Sequence, residues 1–336
     1  MRPALLISLL LLGAFSAVAA EPTAPREVSV GMYLVDITSV DETRNTFTVE
    51  MDVFVSWRDP ELAFDVAVEG VERLVYSGEE VEAWRKGLWR AEIYPTNPVG
   101  QFSSGGQKVV VHPDGLAELT GRITATMRAQ LDYRRFPFDT QILPIELESF
   151  PWNRDEVRLV LDESHTGFEK LNALTEWELE GLTTDQFEMT RVRDVVPFSN
   201  LVFAITITRD SGFYLWKIFL TVLIIVSLTW VVFWMSGEGL GRRAGVSSSG
   251  ILTVIAYQFV TTSALPKVSY LTVADKVMIL SVLMITATMV ESLLVDGLTY
   301  TNPERKLKID RICRVAFPSV YFLALLALAL RNGLLG

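Results

Sequence analysis

Four long segments in the last third of the chain constrain its fold most, because each has about the roughly 20 residues a helix needs to cross a bilayer. They cover 213–235, 244–264, 273–295 and 312–331, with Trp216 and Trp234 placed to anchor the first at the two interfaces. The second is the odd one. From Gly241 to Tyr270 it reads GRRAGVSSSGILTVIAYQFVTTSALPKVSY, long enough to span and too polar for contact with lipid. Placed on a helix, Gly245, Ser249, Leu252, Ala256, Phe259 and Ser263 recur at intervals of three and four and share one stripe. The stripe is small and polar at one end and apolar from Leu252 to Phe259. Copies of it around an axis would form a conduit with an apolar constriction and with Glu238, Arg242 and Arg243 at one mouth. A buried helix whose hydroxyls bond neighbouring backbone accounts for the same residues.

Composition divides the chain near Asp210 into 1–20, 21–210 and 211–336. Residues 1–20 have an Arg2 flank, a leucine-rich centre and a Val18-Ala19-Ala20 end, the pattern of a secretory signal peptide. A net charge of -10 argues against a nucleic-acid partner, and a single cysteine, Cys313, forbids an intrachain disulfide. The loops after the first and third spans hold Arg242, Arg243, Arg305, Lys306, Lys308, Arg311 and Arg314, against Lys267 alone in the loop between. That asymmetry agrees with both termini lying outside, the periplasmic side in a bacterial inner membrane. Glu291, near the end of the third span, is expected to snorkel to the interface.

Between Glu27 and Thr208 the sequence alternates in short runs, including Thr46–Phe54, Lys108–Val111, Arg122–Leu131, Gln141–Leu147 and Leu201–Thr208. Turn residues separate them, so the expectation is an antiparallel β-sandwich, with Ser39–Asn45 and Ser103–Gly106 as turns.

One run is more specific. Phe136-Pro137-Phe138-Asp139-Thr140-Gln141, with Leu131-Asp132 before it and Glu148-Ser149-Phe150-Pro151-Trp152 after it, resembles the signature loop of the pentameric ligand-gated ion channels, the Cys-loop receptor superfamily. Ser39–Trp57 is similar to the first hairpin of those receptors. Arg209 sits where they carry an arginine before the first span, and Leu265-Pro266-Lys267 resembles the outer end of their pore helix. Ala129 and Leu143 stand where animal members have the bridging cysteines, a departure shared with the prokaryotic branch.

The resemblance implies an extracellular immunoglobulin-like sandwich followed by a four-helix transmembrane bundle, assembled as a homopentamer around a central pore. It implies no cofactor, no metal and no enzymatic activity. Its partners would be other copies of itself, membrane lipid, permeant ions, and a small-molecule or proton agonist bound between sandwiches. Matched by position, Tyr94, Glu148, Phe150, Trp152, Phe187 and Phe198 fall on one face of that agonist site, and Asp52 and Phe54 on the other. Aromatics beside carboxylates suit a small cation. Asp41, Glu42, Phe136, Pro137, Asp139, Arg209, Pro266, Lys267 and Tyr270 would couple the sandwich to the pore. Glu238 and the bacterial resemblance favour cations. The competing reading is a non-conducting membrane receptor with a ligand-binding sandwich.

Overall fold

The computed structural model describes residues 24–86, 88–169, 174–189, 196–235, 238–262 and 267–334. The expected signal peptide, Ser263 and Pro266 lie outside them.

Eleven strands make two sheets among the described residues: β1 (Arg26–Asp41), β2 (Thr46–Arg58), β3 (Leu74–Ser77), β4 (Ile93–Pro95), β5 (Ser103–Val111), β6 (Leu116–Arg128), β7 (Thr140–Ser149), β8 (Val157–Leu161), β9 (Gly167–Phe168), β10 (Trp177–Met189) and β11 (Phe198–Arg209). The larger sheet runs β3-β5-β6-β2-β1-β8, with β9 also on β1, and the smaller runs β10-β11-β7-β4. The period-2 pattern dictates which face is covered. In β2, Phe47, Val49, Met51, Val53, Val55 and Trp57 point inward and are buried, while Thr48, Glu50, Asp52, Phe54 and Ser56 alternate outward. Leu143, Ile145 and Leu147 of β7 and Leu201, Phe203, Ile205 and Ile207 of β11 close the core from the other sheet. Each such side chain contributes about 1.5–3 kcal/mol on burial. Ala129 and Leu143 are both part of this apolar core.

Two expectations for the sandwich need correction. The larger sheet is not wholly antiparallel, since β8 and β9 run parallel to β1. Ser103–Gly106 is no turn: Ser103, Ser104 and Gly105 pair with Thr124, Ile123 and Arg122, and the glycine pair is absorbed by a shift of register before Lys108.

Four long helices follow. The first, Gly212–Trp234, carries a π-helical stretch at Leu215–Phe219 and tightens into 3₁₀ geometry from Trp230. The second is Leu240–Thr262. The third, Val273–Asp296, opens on a capping box in which the Thr272 hydroxyl accepts from the Asp275 amide and the Asp275 carboxylate accepts from the Thr272 amide. The fourth, Pro303–Arg331, starts nine residues before the expected span, capped by Asn302 with proline at its first turn. The first, third and fourth are long and apolar enough to cross a membrane, and the second is the polar exception.

Ile218, Val222, Val226, Trp230, Val254, Met278, Ile285 and Tyr321 form the bundle core. Only 6% of the fourth helix's apolar stretch is buried, so its remaining faces present Ile312, Val315, Leu323 and Leu330 outward, as a helix against lipid does.

Candidate functional site

The second helix has two unlike stripes. Gly245, Ser249, Leu252, Ala256 and Phe259 are exposed, Leu252 to 68% and Phe259 to 75% of their surfaces. On the other side Arg243, Ser247, Gly250 and Val254 recur at intervals of four, three and four, and all are buried. Gly250 is there because the first helix comes so close that a Cβ would stand 2.4 Å from Thr229 Cγ2. Ser248 and Thr253 donate to the carbonyls of Ala244 and Ser249, so those two hydroxyls are satisfied within the helix.

The two arginines that open this helix part company. Arg242 continues the exposed stripe and pairs with Glu238 at 2.8 Å. Arg243 does not reach the mouth where the sequence reading placed it. It is 1% exposed, and its Nη2 donates to Glu291 Oε2 at 3.1 Å and to Asp310 Oδ1 at 2.9 Å. Glu291 likewise turns into the bundle instead of snorkelling, because Arg243 compensates its charge there.

At the base of the sandwich Arg209 is the hub. Its Nε and Nη2 donate to the two oxygens of Asp139 at 2.8 and 3.1 Å, and its Nη1 donates to Glu42 at 2.5 Å and to the Tyr214 hydroxyl at 3.4 Å. Its guanidinium lies over the rings of Trp177 and Phe136, at 4.1 and 4.8 Å from their centroids. Gln141 Nε2 donates to Asp139, while Gln141 Oε1 accepts from the Asp132 amide, which fixes the loop between them. Burial works against the charge on Arg209, but the bonds to Asp139 and Glu42 outweigh it and hold the guanidinium above its ordinary range. Glu42 moves up, chiefly through burial and with help from Asp139 and Glu176, against the pull of Arg209. Burial, with Glu42 nearby, also raises Tyr133.

This hub touches the helices. Tyr214 of the first helix stacks edge-on against Phe136 at 4.9 Å. The Ala274 amide at the head of the third donates to the Phe136 carbonyl at 3.2 Å. Tyr270, between the second and third, accepts through its hydroxyl from the Tyr133 amide at 3.0 Å. The Phe136–Pro137 peptide is cis. Asp41 stays apart, accepting from the Arg44 amide in its own turn, and Lys267 is exposed.

The structure divides the expected agonist residues between two sheets. Phe187, Asn200, Glu148 and Tyr94 form one row across β10, β11, β7 and β4. Glu148 and Asn200 are buried although they stand on the outward side of the smaller sheet. Phe150, 61% exposed, projects just beyond them. Phe198 is buried at the start of β11, and Trp152 is drawn inward against Trp89, its Nε1 donating to the Arg90 carbonyl at 3.3 Å. Asp52 and Phe54 lie on β2 in the other sheet. Arg122 takes both oxygens of Asp52 at 2.8 and 2.9 Å, so that carboxylate is already paired. Phe54 stacks on His165 at 4.8 Å, an approach that Gly31 permits, since a Cβ there would stand 2.8 Å from His165 Cβ. Asn200, Arg122 and His165 escaped the sequence reading, because only strand register and loop packing bring them in.

A β-sandwich whose base is pinned by an arginine to a helical bundle is the arrangement that the resemblance to the pentameric ligand-gated channels implies. Residues 16–211 match the family profile of the neurotransmitter-gated ion-channel ligand binding domain, and the chain belongs to that family, within the Cys-loop superfamily of pentameric ligand-gated channels. It is 28% identical to the proton-gated ion channel of Gloeobacter violaceus, over 91% of this chain and 83% of that protein. It is 25% identical to the pH-sensitive chloride channel 2 of Drosophila melanogaster and 24% to the human gamma-aminobutyric acid receptor subunit rho-3, across 84% and 89% of this chain. It spans only 56% and 66% of those two longer proteins.

Proposed function

We propose that this chain assembles as a homopentameric, bacterial, cation-selective channel whose pore is lined by the second long helix and whose agonist, a small molecule or a proton, acts on the sandwiches. The observation that carries the proposal is the exposed stripe Gly245, Ser249, Leu252, Ala256 and Phe259, opposite a face locked into the bundle. A helix already packed on one side, with small residues at Gly245 and Ser249 and an apolar run from Leu252 to Phe259 along the other, fits a second-helix ring around an axis. Leu252, Ala256 and Phe259 then form the apolar constriction that resists hydrated ions.

Agonist would bind between adjacent sandwiches: the Phe150 row belongs with the smaller sheet and the Asp52–Phe54 pair with the larger, so each subunit would offer one set to one neighbour and the second set to the other. With Asp52 held by Arg122, Glu148, two residues before Phe150, is the other carboxylate we place in the site. A ligand opens the channel only through its higher affinity for the open arrangement, and Arg209, Glu42 and Asp139 are the groups through which that preference reaches the helices. The names of two relatives, proton-gated and pH-sensitive, put protons first among agonists to try.

Purified protein in planar bilayers, stepped through acidic pH and then a panel of small amines and carboxylates, tests the proposal. Unitary currents that reverse near the sodium potential in a sodium chloride gradient are the expected result. Silence across the whole panel favours the non-conducting receptor, and reversal near the chloride potential refutes cation selectivity.

A further inference from the structure

The second helix begins with two adjacent cations, and a mouth lined by both would repel the ions proposed to pass. Adjacent residues on a helix point about 100° apart, so they need not share a face. Arg242 lies three residues before Gly245, on the exposed stripe, and Glu238 one turn earlier balances its charge at 2.8 Å. Arg243 heads the buried stripe instead. It is held there by Glu291 of the third helix and Asp310 of the fourth, both nine-tenths or more buried.

The bonding of this cluster is incomplete. Arg243 Nε and Nη1, Glu291 Oε1 and Asp310 Oδ2 are buried without a hydrogen-bond partner. A buried cation with two unused donors is not kept in place by hydrogen bonds alone; the two negative charges are what make burial preferable to exposure. Removing either acid leaves Arg243 with a single carboxylate to hold it in the bundle.

We propose that Glu291 and Asp310 are selectivity-determining positioning residues: they sequester Arg243 from the permeation path, so that each subunit offers the inner mouth only the balanced Glu238–Arg242 pair. The inference rests on the channel reading above. It adds that the sign of the permeant ion is set partly from the third and fourth helices, by residues that never line the pore.

The test is the permeability ratio of sodium to chloride for the full chain in planar bilayers. Asp310→Asn and Glu291→Gln should each lower it by at least about three-fold, moving the reversal potential toward that of chloride, since Arg243 released by one acid can turn its positive charge to a confined mouth and repel cations there. Adding Arg243→Gln to Asp310→Asn should restore the parental ratio. Loss of packing alone would change opening or yield without moving reversal, and it would not be rescued by a second substitution in the same cluster. If neither single variant assembles, thiol reactivity decides in a Cys313→Ser background. A cationic thiol reagent should block current through Arg242→Cys and leave Arg243→Cys conducting. A conducting parent with unchanged permeability in both single variants, or block at position 243, overturns this inference alone. A silent parent overturns the channel reading and this inference with it.

Discussion

Two buried arginines, each between two acids, sit at opposite ends of the membrane half and are bonded very differently. Arg209 uses all three of its nitrogens, on Asp139, Glu42 and Tyr214, and is roofed by aromatic rings. Arg243 uses Nη2 alone. The saturated cluster joins two domains and tolerates one geometry, because every donor has a fixed acceptor. The unsaturated one joins three helices of a single bundle, where charge balance suffices and hydrogen-bonding capacity is left over. The same residue types therefore serve as a rigid pin in one place and as a charge store in the other.

The largest effect should come from breaking the pin. Arg209→Ala strands the buried carboxylate of Asp139 and the part-buried one of Glu42, a loss of about 3–5 kcal/mol. It should lower the thermal midpoint of the whole protein and nearly abolish opening in bilayers. Unaltered gating in assembled channels would remove Arg209 from the coupling route. Arg243→Gln should cost less, about 1–3 kcal/mol, because it forfeits two hydrogen bonds where Arg209 makes four. Chemical unfolding of the two variants side by side measures the gap, and equal losses would mean that bond count does not separate the clusters.

A pH titration sharpens the contrast at Glu42. Its raised affinity for a proton in the folded state means that its contribution to stability is complete below the ordinary value of 4.5 and fades as pH rises through the raised one. Glu42→Gln should remove that part of the slope, so the variant gains on the parent toward neutral pH. Parallel midpoint-against-pH curves for parent and variant would contradict this. The smallest effect is expected at the exposed pair. Arg242→Gln should change stability by about 0.5 kcal/mol or less, while raising cation conductance by leaving Glu238 unopposed.

The exposed stripe of the second helix was legible because helical period is a local property, and the residues from Gly245 to Phe259 carry that period themselves. The fate of Arg243 was not. Its partners lie 48 and 67 residues further on, and nothing in the string Arg242-Arg243 says which arginine faces inward. The Arg209 hub was legible only through likeness to known channels, since Asp139 is 70 residues away and Glu42 is 167. Glycine misled at Ser103–Gly106, where a bulge in β5 carries the same composition as a turn. The early start of the fourth helix was written in Asn302-Pro303, a cap and first turn, but apolar content alone drew attention to a later start. Burial of Glu148 on the outward side of β7 depends on the residues laid over it, which alternation along one strand cannot convey.

The central claim, that the exposed stripe of the second helix is the pore, is tested most directly by single-channel open probability without agonist in Leu252→Ser and Ile251→Ser. A serine ring at Leu252 wets the constriction, and burying each hydroxyl in the closed state costs about 1–3 kcal/mol that the hydrated open state does not incur. Spontaneous opening should therefore rise strongly for Leu252→Ser and much less for Ile251→Ser, whose side chain packs in the bundle core. Equal effects at the two positions, or a larger one at Ile251, would show that another face of this helix lines the pore.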